Sequence, residues 1–128
     1  MNTAYRVWDG EKMHYWDDGE LSLIISDGEW GLYRNIVGAL YPICIASSTQ
    51  KNTSLMWGTG LKDKNEKMIY DKDIDMTDGE PMIIVYENGH YGLKFPDDHT
   101  YFDFCMNWIE CEIGGNIYEH RVLLEGVE

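Results

Sequence analysis

The run Val85-Tyr86-Glu87-Asn88-Gly89-His90-Tyr91-Gly92-Leu93 sets two β-prone segments on either side of an Asn-Gly pair. Asn-Gly in that setting is a strong hairpin signal, because the turn demands positive φ and glycine supplies it without steric cost. The same arrangement recurs along the chain. Tyr5-Arg6-Val7-Trp8 and Met13-His14-Tyr15-Trp16 flank Asp9-Gly10, and residues 21–25 and 31–33 flank Ser26-Asp27-Gly28-Glu29. Thirteen glycines in 128 residues fit so many turns. Glu11-Lys12-Met13-His14-Tyr15 is echoed by Glu66-Lys67-Met68-Ile69-Tyr70. One five-residue echo is no repeat architecture and reads as two similar hairpins. Helical signal is thin. Residues 35–40 allow a helical turn, kept short by Gly38 and Pro42, and residues 119–125 allow one or two turns with Val122, Leu123 and Leu124 as the apolar patch. Short strands at close spacing predict a mainly β fold with minor helix, built as a small barrel or curled sheet.

Length and composition bound the class of object. About one domain is expected at 128 residues. Hydrophobic residues make up 44% of the chain and 17 residues are aromatic, which supports one core and argues against intrinsic disorder. The formal charge of −13 argues against gripping DNA or RNA by its phosphates, which needs a basic surface. No apolar signal core follows Met1-Asn2-Thr3-Ala4-Tyr5-Arg6, and the longest nearly apolar run, residues 36–46, is 11 long and contains Pro42. A bilayer span needs roughly 20 residues. Cys44, Cys105 and Cys111 are an odd number of thiols and read as reduced. A cytoplasmic protein with no membrane association is the expectation.

The segment Thr59-Gly60-Leu61-Lys62-Asp63-Lys64-Asn65-Glu66-Lys67-Met68-Ile69-Tyr70-Asp71-Lys72-Asp73-Ile74 closely resembles the signature of the YopX family of phage and prophage proteins, roughly TGLKDKNGKEIYEGDI. Tyr5-Arg6-Val7-Trp8-Asp9, then Lys12-Met13 and Tyr15-Trp16-Asp17-Asp18, resembles the family's opening. Gly115-Asn116-Ile117-Tyr118-Glu119, then Leu123-Leu124, resembles its closing. The three pieces occur in order and span nearly the whole chain. The departures are local. Glu66 stands where the family usually has glycine, and Lys72 replaces the glycine of Glu-Gly-Asp-Ile at a bend. His120-Arg121 stands where Asn-Pro is frequent, which weakens any following helix, since proline favours a first helical turn. The resemblance implies one domain over residues 1–128, with a signature segment at 59–74, a variable insert at roughly 20–56 and an SH3-like barrel part. It implies a bacterial host cell as the setting and supplies no catalytic residues. Trp8, Tyr70, Ile74, Ile117 and Tyr118 are expected in the core of the matched segments.

Asp71, Asp73, Asp75, Asp78 and Glu80 form the densest acidic stretch. An EF-hand loop starting at Asp71 needs glycine sixth and glutamate twelfth, where this chain has Met76 and Met82. At strand spacing Asp71, Asp73 and Asp75 share one face, where they can hold a hard cation or form a solvated edge that discourages pairing; the solvated edge is favoured. Asp97-Asp98-His99 sets an imidazole beside two carboxylates, but next to Pro96 it reads as a solvated loop. Cys105, Cys111, His99 and His120 contain the atoms of a zinc site, yet Cys-x₅-Cys is not the usual pairing, and buried free thiols are favoured. Ser47 and Ser48 lack a nucleophile elbow, and no phosphate-cradling glycine loop is present.

The expectation is therefore a non-enzymatic accessory protein with no cofactor, no metal and no catalytic residue, acting by binding. A small-ligand pocket at a barrel mouth or subunit interface is the alternative, and an enzyme using Asp97, His99 or the 71–80 carboxylates a weaker one. The aromatics Trp8, Tyr15, Trp16, Trp30, Tyr33, Trp57, Tyr86, Tyr91, Tyr101 and Trp108 can fill a small barrel core, but in so small a β protein some must reach the surface, and few cations neighbour them. Such surfaces serve protein contacts. A homo-oligomer using aromatics and the 20–56 region is expected, and the acidity would steer the chain toward a basic protein.

Overall fold

The structure is a computed structural model, and it describes residues 4–77, 79, 81–87, 90–95, 101–102 and 110–121. Among the described residues it is nearly all β with almost no helix, and includes a sheet curled as a half-barrel. The chain divides into two compact units, residues 4–56 and the residues from Trp57 onward.

In the N-terminal unit, strands β1 (Tyr5–Trp8) and β2 (Met13–Tyr15) form an antiparallel hairpin with Val7 opposite His14. Its turn is held by Asp9, whose Oδ1 accepts the amides of Glu11 and Lys12 at 2.7 and 2.8 Å. Strands β3 (Leu21–Ser26), β4 (Glu29–Arg34) and β5 (Ile43–Ser47) follow as an antiparallel sheet in sequence order. The β3–β4 turn is two residues, Asp27 at φ 55° and Gly28 at φ 79°, between the pair Ser26 and Glu29. Two positive φ values match the right-handed twist of the flanking strands, which is why Asp-Gly turns here. Leu21, Leu23, Trp30 and Ile45 pack on the buried Val7, Leu32 and Ala46, with Tyr5 and Leu55 beside them.

Residues 35–40 depart from the expected helical turn. The Ala39 amide donates to the Ile36 carbonyl at 3.0 Å, and Gly38 sits third with φ 88°. That is the placement of a type II turn, whose third residue must be left-handed.

Strand β6 (Ser54–Lys62) begins in the first unit and ends in the second, where it pairs with β7 (Met68–Tyr70). Strands β8 (Asp73–Asp75), β9 (Met82–Glu87), β10 (His90–Lys94), β11 (Tyr101–Phe102) and β12 (Ile113–Asn116) form an antiparallel sheet in the order β11-β10-β9-β8-β12. The Asn88-Gly89 turn lies outside the described residues, but Glu87 pairs with His90 across it, as a two-residue hairpin requires. The core here is Ile69, Ile84 and Leu93, with Met82, Tyr91 and Ile113 packed against it.

Of the expected core residues, Ile74 and Tyr70 are buried, while Trp8, Ile117 and Tyr118 are half-buried. The larger correction concerns charge. Asp73 and Asp75 are buried, each only 3% exposed, and β8 is paired on both sides, by β9 and β12. The acidic stretch is thus no solvated edge at these positions. Each carboxylate is retained by local donors: Asp73 Oδ2 accepts the Tyr70 amide at 2.8 Å, and Asp75 Oδ1 accepts the Thr77 hydroxyl and amide. A buried carboxylate is tolerated when such donors replace its water. Where the tail helix is expected, the described residues 117–119 form a turn. Asn116 Oδ1 accepts the amides of Tyr118 and Glu119 at 3.0 and 2.9 Å, and Asn116 Nδ2 donates to Glu119 Oε1. Residues 122–125 lie outside the described residues.

Candidate interaction surface

Among the described residues, the candidates read from the sequence are not brought together in one place. Asp71 lies in the turn before β8, and its carboxylate contacts the Lys72 ammonium at 3.5 Å, while Asp78 and Glu80 are outside the described residues. Asp97, Asp98, His99 and Cys105 also lie outside them. Among the described residues no group of three or more His, Cys, Asp or Glu side chains is arranged to hold a metal ion. Cys111 is fully buried, as expected of a core thiol. Burial first, then the nearby Asp75 and Asp63 carboxylates, push its thiol up to about 12. At that value the nucleophilic thiolate is essentially absent near neutrality. His120 is occupied elsewhere: its Nδ1 accepts the Asn116 amide at 3.0 Å, and its ring lies where a Cβ on residue 115 would be, so Gly115 is required by this close approach. Ser47 and Ser48 serve the strand end. Ser48 Oγ accepts the Trp30 amide and Ser47 Oγ bonds Thr49 Oγ1.

Two carboxylate arrangements escaped the sequence reading. Asp63 is buried and accepts from the amides of Asn65 and Lys67 through Oδ1 and of Ile113 through Oδ2. Asp9 Oδ2 meets Nε2 of the buried His14 at 2.8 Å. Burial tends to raise the Asp9 carboxyl, but the bonds from His14, Lys12 and Glu11 outweigh it and hold the group below the usual carboxylate value. An Asp that precedes a turn with free amides is the signal that finds both.

The aromatics split as expected. Trp8, Trp30, Tyr33 and Tyr91 are half-buried, and Tyr86 meets Tyr91 edge-to-face with centroids 4.9 Å apart. Tyr15, Trp16, Trp57 and Tyr86 are exposed; Trp108 and the side chain of Tyr101 lie outside the described residues.

The main unexplained feature is in the N-terminal unit. At the tip joining β4 to β5, Val37 is 93% exposed, Leu40 91% and Tyr41 79%, with Ile36 and Ile43 also exposed. No charged residue occurs from 35 to 50. The base of the tip is fixed. The Asn35 amide donates to the Glu20 carbonyl at 2.8 Å, and Asn35 Nδ2 donates to Ser22 Oγ at 2.9 Å. The outer face of the same sheet carries a concave site of about 310 Å³, lined by Ile24, Glu29, Tyr33, Cys44 and Ser47. Its floor is Gly31, over which the Tyr33 ring lies within 2.9 Å of where a Cβ would stand. The surface offers apolar contact and hydrogen-bonding rim groups.

Comparison with known proteins extends over the same residues. The profile described as YopX protein matches residues 4–125. The SPbeta prophage-derived protein YopX of Bacillus subtilis (strain 168) is 39% identical over all of this chain and all of its own length. The crystal structure of protein yopX from Bacillus subtilis superposes with a TM-score of 0.74 at 35% identity, covering 98% of this chain and 100% of that one. Protein EF1440 from Enterococcus faecalis shares the fold, with a TM-score of 0.62 at 20% identity over 95% of this chain and 97% of its own.

Proposed function

Since the chain belongs to the YopX family, we propose that it is a phage or prophage accessory protein that acts by binding a protein partner and performs no catalysis. The observation that carries this reading is the charge-free apolar tip at Val37, Leu40 and Tyr41, held out from a chain of net charge −13. Exposed aliphatic side chains cost free energy in water and are retained where they are covered by a partner. The formal charge then governs encounter rather than contact. An acidic chain approaches basic surfaces faster, and salt slows that approach.

The test is comparative capture. Wild-type chain and the variant Val37→Ser/Leu40→Ser are immobilised at equal density and exposed to lysate of phage-induced cells. A partner retained by the wild type and lost by the variant supports the reading. Identical capture by both would refute it.

The concave site over Gly31 favours a second reading, a small ligand held on the sheet. Its volume is at the lower end for small-molecule pockets, roughly 300–1,000 Å³. Native mass spectrometry of freshly purified protein tests it through a bound mass that Tyr33→Ala removes.

A further inference from the structure

We propose that the apolar β4–β5 tip is covered by the same tip of a second copy of this chain, so that two chains associate through Val37, Leu40 and Tyr41. This rests on the binding reading above and names its partner.

Charge is the first argument. Residues 35–50 carry no charged group, whereas residues 57–128 carry sixteen carboxylates against six Lys and Arg. A basic protein finds its complement on that acidic portion and not at the tip. A lipid surface is also disfavoured. Loops and helices that enter bilayers carry Lys or Arg alongside the apolar face, and this segment has none in a chain of net charge −13. A second copy is matched by contrast. Two charge-free tips meet without desolvating a carboxylate, so the penalty for burying unpaired charge never arises. Repulsion between the net charges of the two chains is screened over about 8 Å at physiological salt.

Area is the second argument. A large aliphatic side chain offers about 100 Å² of apolar surface when fully exposed. Ile36, Val37, Leu40, Tyr41 and Ile43, with the exposed Ala39 and Pro42, therefore present on the order of 400 Å². A standard interface uses about 800 Å² from each partner, a little over half of it apolar. The tip supplies that apolar share within one short segment. It is also preorganised, by the Ile36–Ala39 turn bond and the Asn35 anchors to Glu20 and Ser22, so little ordering entropy opposes association. An isologous contact places the patch on itself and closes at two copies.

The experiment is sedimentation equilibrium of the full chain from low to high micromolar concentration, in low and in moderate salt. The wild type is compared with Val37→Ser/Leu40→Ser and with Leu40→Lys. These side chains are more than 90% exposed, so the variants keep the fold, and circular dichroism checks this. The wild type should reach twice the chain mass, more readily in moderate salt. Both variants should dissociate with a constant higher by about tenfold or more, the effect of losing one anchoring contact. A wild type that stays monomeric throughout, or variants that associate equally well, would overturn the proposal. A monomeric wild type that captures another protein through the tip leaves the binding reading intact and ends this one. A monomer that floats with phosphatidylcholine vesicles in a tip-dependent manner ends this proposal and the protein-partner reading together.

Discussion

The Asp63 carboxylate accepts the backbone amide of Ile113 at 3.1 Å, across fifty residues of sequence. Its other oxygen closes its own hairpin by accepting from Asn65 and Lys67. The neighbouring Lys64 amide donates to the Cys111 carbonyl at 2.9 Å, and Lys64 Nζ meets Glu112 Oε1 at 3.0 Å. The signature turn is therefore a clasp on residues 111–113. Asp63→Ala removes three bonds; of the freed amides, that of Ile113 is half-buried while those of Asn65 and Lys67 lie on exposed residues and can turn to water, and a donor stranded away from water costs roughly 1–3 kcal/mol. Urea denaturation should show a loss of about 1–3 kcal/mol, and Asp63→Asn a smaller one. A change under about 0.5 kcal/mol, the size of an ordinary surface substitution, would contradict the clasp.

Glu66 has φ 65° and Lys72 has φ 73°. Both stand where the family signature has glycine. The left-handed conformation costs an L-residue roughly 1–2 kcal/mol, partly offset by the entropy a glycine loses on folding. Glu66→Gly and Lys72→Gly should each stabilise by about 0.5–1 kcal/mol and raise the melting temperature by a few degrees. The turn explains the choice. Asp63 N donates to Lys67 O at 2.9 Å and Glu66 N to Asp63 O at 3.0 Å, enclosing a three-residue loop whose last residue is left-handed.

The two described thiols should differ sharply in reactivity. Cys44 is exposed on β5, and Cys111 is buried with its thiol pushed up to about 12. At pH 8 the Cys111 thiolate is on the order of one part in ten thousand. Iodoacetamide followed by peptide mapping should label Cys44 in the native protein, and Cys111 only in denaturant.

The Asp9–His14 contact gives a signed pH dependence. Asp9 titrates below its ordinary value in the folded chain, so folding favours its ionised form. The stabilisation is fully present above the unfolded carboxyl value of about 3.9 and is lost as pH falls through the lower folded value. The stability gap between wild type and Asp9→Asn should thus be widest near neutrality and shrink below pH 4. Chemical denaturation across that range measures it.

What the sequence made legible follows from how local each cause is. Asp9-Gly10 and Asp27-Gly28 announce their turns because a single dihedral demand selects those residues. The two glycines missing from the signature fall at Glu66 and Lys72, both left-handed in the fold. At residues 35–40 the sequence shows Gly38 as a helix breaker, but not that its φ of 88° builds a different turn. The burial of Asp73 and Asp75 is illegible for a deeper reason. Alternating acids look like a solvated strand, and nothing in their spacing reveals that Tyr70 and Thr77 donors replace water. The exposed tip was visible as the apolar run 36–46, but its exposure depends on the Asn35 anchors, which are contacts of tertiary structure.

The reach from Asp63 to Ile113 also orders events during synthesis. Residues 4–56 gather their own buried centre at Val7, Leu32 and Ala46, so this part has its hydrophobic partners as soon as it leaves the ribosome. The 63–67 turn can close next, since two of its three carboxylate bonds are local. The third waits until residue 113 emerges, and with it the pairing of β12 onto β8. Contacts so distant in sequence form late and slowly. Until then the half-made chain offers β8 with one side bare, and the fidelity of the second unit depends on residues 113–116 arriving before another strand does.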